Sequence, residues 1–96
     1  MTGIQQQDDQ ANEWIKGVPS KDIQRAWLTL REDNGGETRW VVLAKRIRGR
    51  WVEYDYDHRN KAEYLAFEVE DEIYSWQRLE TPSAAIHMPE PDLRLE

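Results

Sequence analysis

Apolar and polar positions follow two periods along the chain. Within residues 5–16 (QQQDDQANEWIK) and just after, Ala11, Trp14, Ile15 and Val18 recur at helical spacing, acids come early, Lys16 comes late and Gly17 stands where a helix would end. This pattern predicts a short helix whose narrow stripe needs docking through Trp14 and Ile15. Val18-Pro19-Ser20 then reads as a break. From Arg25 to Tyr56 the period drops to two, with β-branched and aromatic residues enriched. Asn34-Gly35 suits the positive φ angles of a type I′ turn, so strand 26–32 is expected to fold back on strand 37–47. A two-residue turn there sets Leu28 opposite Val41, Ala26 opposite Leu43, Trp27 opposite Val42 and Thr29 opposite Trp40. A second turn at Arg48-Gly49 pairs strand 37–47 with strand 50–56, setting Leu43 opposite Tyr54, Val41 opposite Tyr56 and Arg46 opposite Trp51.

These registers predict a core face of Ala26, Leu28, Leu30, Val41, Leu43, Ile47, Val52, Tyr54 and Tyr56. Trp27, Trp40 and Trp51 fall on the opposite face, among Val42, Ala44, Arg46, Glu53 and Asp55. From Asn60 to Leu79 two patterns overlap. Asn60 and Glu63 suit a helix cap ahead of Ala62, Leu65, Ala66, Val69 and Ile73, whereas Leu65, Phe67 and Val69 alternate as a strand does. The β-rich run Ile73-Tyr74-Ser75-Trp76 and the charged turn Glu70-Asp71-Glu72 favour strands joined as a further hairpin. After Glu80, Pro82, Pro89 and Pro91 imply an extended or disordered tail. The expected fold is mostly β (α+β), an antiparallel β-meander of about five strands with a short N-terminal helix. It divides into an N-terminal segment (1–19), an antiparallel β domain (20–80) and a tail (81–96).

Composition narrows the picture. The chain of 96 residues allows one modest core, and five Trp, four Tyr and one Phe supply large apolar groups that a disordered acidic chain would lack. With no cysteine, disulfide scaffolds, thiolate zinc sites and cysteine nucleophiles are excluded together. The longest apolar run, Trp40-Val41-Val42-Leu43-Ala44, falls far short of the ~20 residues that span a bilayer, and the start MTGIQQQDDQ lacks a signal-peptide pattern, so a cytoplasmic protein that does not enter the membrane is expected. Leu95-Glu96 resembles a cloning remnant and carries no functional weight. The net charge of −6 is uneven: residues 39–50 hold Arg39, Lys45, Arg46, Arg48 and Arg50 without an acid, leaving 8 basic against 19 acidic residues, a balance of −11, elsewhere. Such polarity suits a basic tip touching phosphate, or an acidic face meeting a basic partner.

Chemical motifs are sparse. Asp55-x-Asp57-His58 offers oxygen and nitrogen ligands at a strand end, but it lacks the Gly and distal Glu of a calcium loop and reads as a solvated polar loop. Glu68, Glu70, Asp71 and Glu72 are adjacent on a turn, where carboxylates point apart rather than across a cleft as acid/base pairs do. Gly35-Gly36 has neither the following helix nor the Gly-Lys-Ser/Thr ending of a phosphate loop. The basic turn Lys45, Arg46, Arg48 and Arg50 beside Trp40 and Trp51 combines phosphate-tracking cations with stacking aromatics, as single-strand binders do. Its bland counterpart is edge protection, with Arg46 making a cross-strand cation–π contact to Trp51. The tryptophan face likewise has two readings: covered by Trp14 and Ile15 as a second core layer, or open to a protein partner.

The pieces Trp27-Leu28-Thr29-Leu30, Trp40-Val41-Val42-Leu43-Ala44, Arg50-Trp51-Val52-Glu53-Tyr54-Asp55 and Ser75-Trp76-Gln77-Arg78-Leu79, with Pro89-Glu90-Pro91 beyond, resemble a group of small phage and prophage proteins of unknown function. That group has a Trp-rich strand, a Val-Leu-Val-like strand, an aromatic-acidic strand, a His-Trp motif and a Pro-rich tail. Here Ser75 stands in place of the His. The resemblance implies a small β-rich accessory protein with no catalytic residue to carry over. Together these readings lead to the expectation of a non-catalytic accessory or regulatory binding protein without a cofactor, contacting a protein partner through Trp27, Trp40, Trp51 and Arg46. The alternatives are single-stranded nucleic-acid binding through Lys45, Arg46, Arg48 and Arg50, and homodimerisation through the tryptophan face.

Overall fold

A computed structural model describes residues 13–32, 36–81 and 87–94. Six strands, β1 (Ile15–Lys16), β2 (Arg25–Arg31), β3 (Arg39–Ile47), β4 (Arg50–Asp57), β5 (Ala62–Glu68) and β6 (Glu72–Arg78), form one antiparallel sheet in the order β1-β6-β2-β3-β4-β5. The mostly β expectation holds. The expected N-terminal helix does not: residues 5–12 lie outside the described residues, and Ile15–Lys16 pairs with Trp76 and Ser75 instead. Gly17, at φ 94°, donates its N–H to Tyr74 O (3.0 Å), so the open edge of β6 satisfies this stretch better than an isolated narrow helix would.

The Arg48-Gly49 turn forms as expected. Both residues have positive φ (52° and 80°), as type I′ requires, and Arg46 lies opposite Trp51. The β2–β3 register differs by one residue from the two-residue turn at Asn34-Gly35. Leu28 pairs with Val42, Ala26 with Ala44 and Leu30 with Trp40, and residues 32–38 make a longer connection, of which 33–35 lie outside the described residues. A one-residue slip exchanges the faces of one strand relative to the other. Alternation failed to decide the register because β2 and the middle of β3 are buried on both faces, so either pairing buries apolar groups. Trp27 therefore packs with Val41, Leu43, Tyr54 and Leu79 on one face. The other face gathers Ala26, Leu28, Val42, Ala44, Trp51 and Trp76, with Trp40, Val69 and Ile73 against them.

The strand reading of 62–68 and 72–78 holds, but the two do not form a hairpin, and the sheet is not a simple meander. β6 leaves β5 and pairs with β2, so that β5 and β6 lie four positions apart in the sheet. In a flat sheet those strands would stand about 19 Å apart, whereas the four steps from Glu68 to Glu72 reach at most about 14 Å. The sheet must therefore coil, and Val69 and Ile73 carry the link across the face of Trp40, Trp51 and Trp76. Coiling also limits the β3–β4 ladder, which runs only from Ile47↔Arg50 to Ala44↔Glu53. The expected Leu43–Tyr54 and Val41–Tyr56 pairs are not joined by ladder hydrogen bonds; these side chains meet in the second cluster instead. Beyond that point β4 and β5 continue as a two-stranded ribbon. Glu63 of β5 accepts from Arg25 (3.2 Å) and Lys45 (2.9 Å), clamping the ribbon to the main sheet above buried Tyr54.

Residues 87–94 have no regular structure but are bonded to the sheet. Asp92, fully buried, donates its N–H to Thr29 Oγ1 (3.0 Å), and its carboxylate accepts from Arg94 Nε (2.8 Å) and Nη2 (2.7 Å). Arg39 Nη1 donates to Asp92 O (3.0 Å), Tyr74 Oη to Arg94 O (2.6 Å), and Arg94 Nη2 to Trp14 O (2.8 Å). Lys16, Arg31 and Arg39 surround the Tyr74 ring, with Arg39 3.9 Å from its centroid.

Two outcomes follow from these contacts. Arg48 holds a left-handed conformation that asparagine tolerates better, so Arg48→Asn should raise unfolding stability by roughly 0.5–1 kcal/mol in a denaturant titration. Arg94 holds the Asp92 carboxyl well below its ordinary value. A depressed carboxyl contributes stability above its unfolded pKa and loses it as pH falls, so Asp92→Asn should cost about 1–2 kcal/mol near pH 7, with the gap to wild type shrinking below about pH 4. A gap that stayed constant with pH would count against the Asp92–Arg94 contact.

Candidate functional site

The sequence-predicted partner face is not assembled. The register slip puts Trp27 on the opposite side from Trp40 and Trp51, where it is buried in the second cluster. Trp51 is buried under Arg46, whose guanidinium carbon lies 4.6 Å from the ring centroid, and Trp40 is half-buried against the same cluster. Trp76, outside the predicted partner face, completes that cluster. Arg46 also donates to Ile23 O (3.1 Å), Pro19 O (3.2 Å) and Ser20 O (3.0 Å), fastening the segment before β2 to β3. Its fork-shaped donor set suits three carbonyls converging from one loop.

The basic turn is also divided. Lys45 is committed to Glu63 and Arg46 to the loop carbonyls, while Arg48 is exposed and Arg50, largely exposed, reaches Glu68 at 3.1 Å. Of the acidic turn, Glu68 thus faces Arg50, and Glu72 pairs with Arg31. Asp57 is occupied by its own turn: it accepts the N–H groups of Arg59 (2.9 Å) and Asn60 (3.2 Å) and the Asn60 side chain (2.7 Å). Asn60's main-chain and side-chain bonds, with the Arg59 bond, hold the Asp57 carboxyl below its usual range against the opposing effect of desolvation. His58 meets Tyr56 edge-on, with ring centroids 4.8 Å apart. Among the described residues no group of three or more His, Cys, Asp or Glu is placed to hold a metal ion, and no helix is long and apolar enough to cross a membrane.

The β4–β5 ribbon carries the most exposed apolar surface of the sheet. β5 is an edge strand, and Tyr64, Leu65 and Phe67 are 54%, 57% and 72% exposed. Their arrangement follows from a bulge. Leu65 and Glu68 lie opposite Tyr54 and Val52, which share a face, so Ala66 and Phe67 between them are both turned to the other. Tyr64 and Phe67 flank one side of the strand and Leu65 the other, with a main-chain edge between them that is open among the described residues. Val69 N–H donates to Trp51 O (2.9 Å), which fixes the alternation: odd-numbered residues of β4 bond toward β5, and Glu63 and Leu65 direct their main-chain groups outward. Sequence reading recognised this stretch as a strand but missed its exposure. The available signal was an apolar residue at both odd and even positions (Tyr64, Leu65, Phe67), which the expected hairpin with Ile73-Tyr74-Ser75-Trp76 obscured.

On its inner side the ribbon parts from β3 and leaves a cleft of about 250 Å³. Glu53, Asp55 and Val42 line it from one face, Leu43, Tyr54 and Tyr56 from the other, with His58 and Met88 also contributing. Burial, and then the neighbouring Asp55, raise the Glu53 pKa. Burial pushes the Tyr54 hydroxyl up to about 12, with nearby Arg25 opposing it. This cleft is smaller than the ~300–1,000 Å³ of sites that enclose small-molecule ligands. Compared with known proteins, the chain matches no family model, no curated protein and no solved structure.

Arg46 acts as a structural fastener in this arrangement. Arg46→Ala should cost about 1–3 kcal/mol of unfolding stability, with Arg46→Lys recovering little of it, whereas Arg48→Ala and Arg50→Ala should stay within about 0.5 kcal/mol of wild type in the same denaturant titration.

Proposed function

We propose that the protein is a non-catalytic accessory binding protein that contacts a protein partner by adding a strand to the outer edge of β5. The observation carrying this reading is the combination of a strand edge unpaired among the described residues with exposed Tyr64, Leu65 and Phe67 along it. Main-chain groups of Glu63 and Leu65 supply the ladder, and side chains on both faces supply selectivity, as in other cases of strand addition. Covering Leu65 and Phe67 contributes roughly 1.5–3 kcal/mol each. Sheet edges of this kind are ordinarily blunted by charge or covered, which favours a partner over bare solvent. The resemblance to small phage and prophage proteins of unknown function brings no catalytic residue with it.

The test is a paired affinity capture from cell extract. Leu65→Asp combined with Phe67→Asp alters only exposed side chains, so stability should change by no more than about 0.5 kcal/mol per site, while the proteins retained by wild type should be lost. Arg48→Ala combined with Arg50→Ala should retain them. Equal capture by wild type and the β5 variant would sink this reading. Salt-sensitive retention of a single-stranded oligonucleotide, abolished by the arginine variant, would shift the assignment to nucleic acid.

A further inference from the structure

The second opening, between β3 and β4, has a chemistry of its own. Arg46 N–H donates to Gln24 O (2.8 Å), so even-numbered residues of β3 bond toward β2 and the main chain of Val41 and Leu43 faces β4. On β4 the same alternation turns Tyr54 and Tyr56 toward β3. The ladder between these strands stops at Ala44↔Glu53, so four residues direct main-chain donors and acceptors into a parted sheet. That residues from both faces of β3 and β4 line one cleft is what such a parting requires.

Charge at the cleft has one sign. Glu53 is half-buried and Asp55 follows two positions later on the same face of β4, and neither makes a hydrogen bond or ion pair among the described residues. Arg46, opposite Trp51 on that face, is occupied by the Trp51 ring and three loop carbonyls. Burial makes the carboxylate of Glu53 costly without a counter-charge, and a cation entering beside it removes that cost. We propose that the fork between β3 and β4 is a docking site for an extended, cationic segment of a partner protein. Its main chain bonds to Val41 and Leu43 where β4 has left β3, and an arginine or lysine of the segment meets Glu53 and Asp55. Apolar neighbours of that residue lie against Val42 on one side and Leu43 and Tyr56 on the other. This site is independent of the outer edge of β5.

The probe is a blocked heptapeptide, Val-Thr-Val-Arg-Val-Thr-Val, titrated at low salt and followed by amide NMR, with a matched peptide bearing Glu in place of Arg. Saturable shifts at Val41, Leu43, Tyr54 and Tyr56 are expected for the Arg peptide, with slowed hydrogen exchange at Val41 and Leu43 and binding at least about tenfold tighter than for the Glu peptide. Glu53→Gln with Asp55→Asn should weaken the Arg peptide by a similar factor; Asp55→Asn alone, at an exposed position, serves if the double variant loses its fold. Equal binding of the two peptides, no saturable shift with either, or shifts confined to Ala62–Glu68 would overturn the proposal. The last of these outcomes would leave the β5 reading standing, whereas binding at the fork, if observed, should persist in the β5 double variant.

Discussion

Three residues, Val69 to Asp71, join two strands that lie four positions apart in the sheet, and much of the architecture answers to that short reach. The link can close only if the sheet coils. A coiled sheet cannot keep every ladder in register, and the one that gives way is β3–β4, which holds for four pairs at the Arg48-Gly49 turn and then opens. Beyond the opening, β4 and β5 hold mainly to each other. The Glu63 clamp to Arg25 and Lys45 turns the ribbon over Tyr54, while Val69 and Ile73 close the opposite face.

Both candidate surfaces are consequences of this geometry. An edge strand with apolar residues on each side exists because β6 pairs with β2 and leaves β5 uncovered among the described residues. A fork with inward-facing main-chain groups exists because β4 departs from β3. The clusters on the two faces of the central strands carry the stability that lets the ribbon remain open. Residues that looked ready for binding are instead used inside that framework: Arg46 fastens a loop, Trp27 and Trp51 fill opposite clusters, and Lys45 holds the ribbon.

Polar groups at the far side have a comparable role. Asp92 and Arg94 draw residues 87–94 onto the sheet, and Tyr74 serves both as a hydrogen-bond donor and as a ring for Lys16, Arg31 and Arg39. Asp92 is buried at a position where the sequence suggests only a proline-rich tail. Its burial is made favourable by three donors from Arg94, counting the main-chain N–H, which no local pattern announces.

The sequence by itself determined the β character of residues 25–56 and the Arg48-Gly49 turn with Arg46 opposite Trp51, and it favoured strands over a helix after Asn60. Each depends on short-range chemistry: period-two alternation, a glycine where positive φ is needed, and aromatic or β-branched content. Tertiary structure decided the β2–β3 register, because strands apolar on both faces give alternation nothing to choose between. It also decided that Ile15–Lys16 joins the edge of β6 and that β6 returns to β2. Those outcomes depend on which distant strand offers hydrogen bonds and on how far three residues can reach, quantities that belong to the folded chain as a whole.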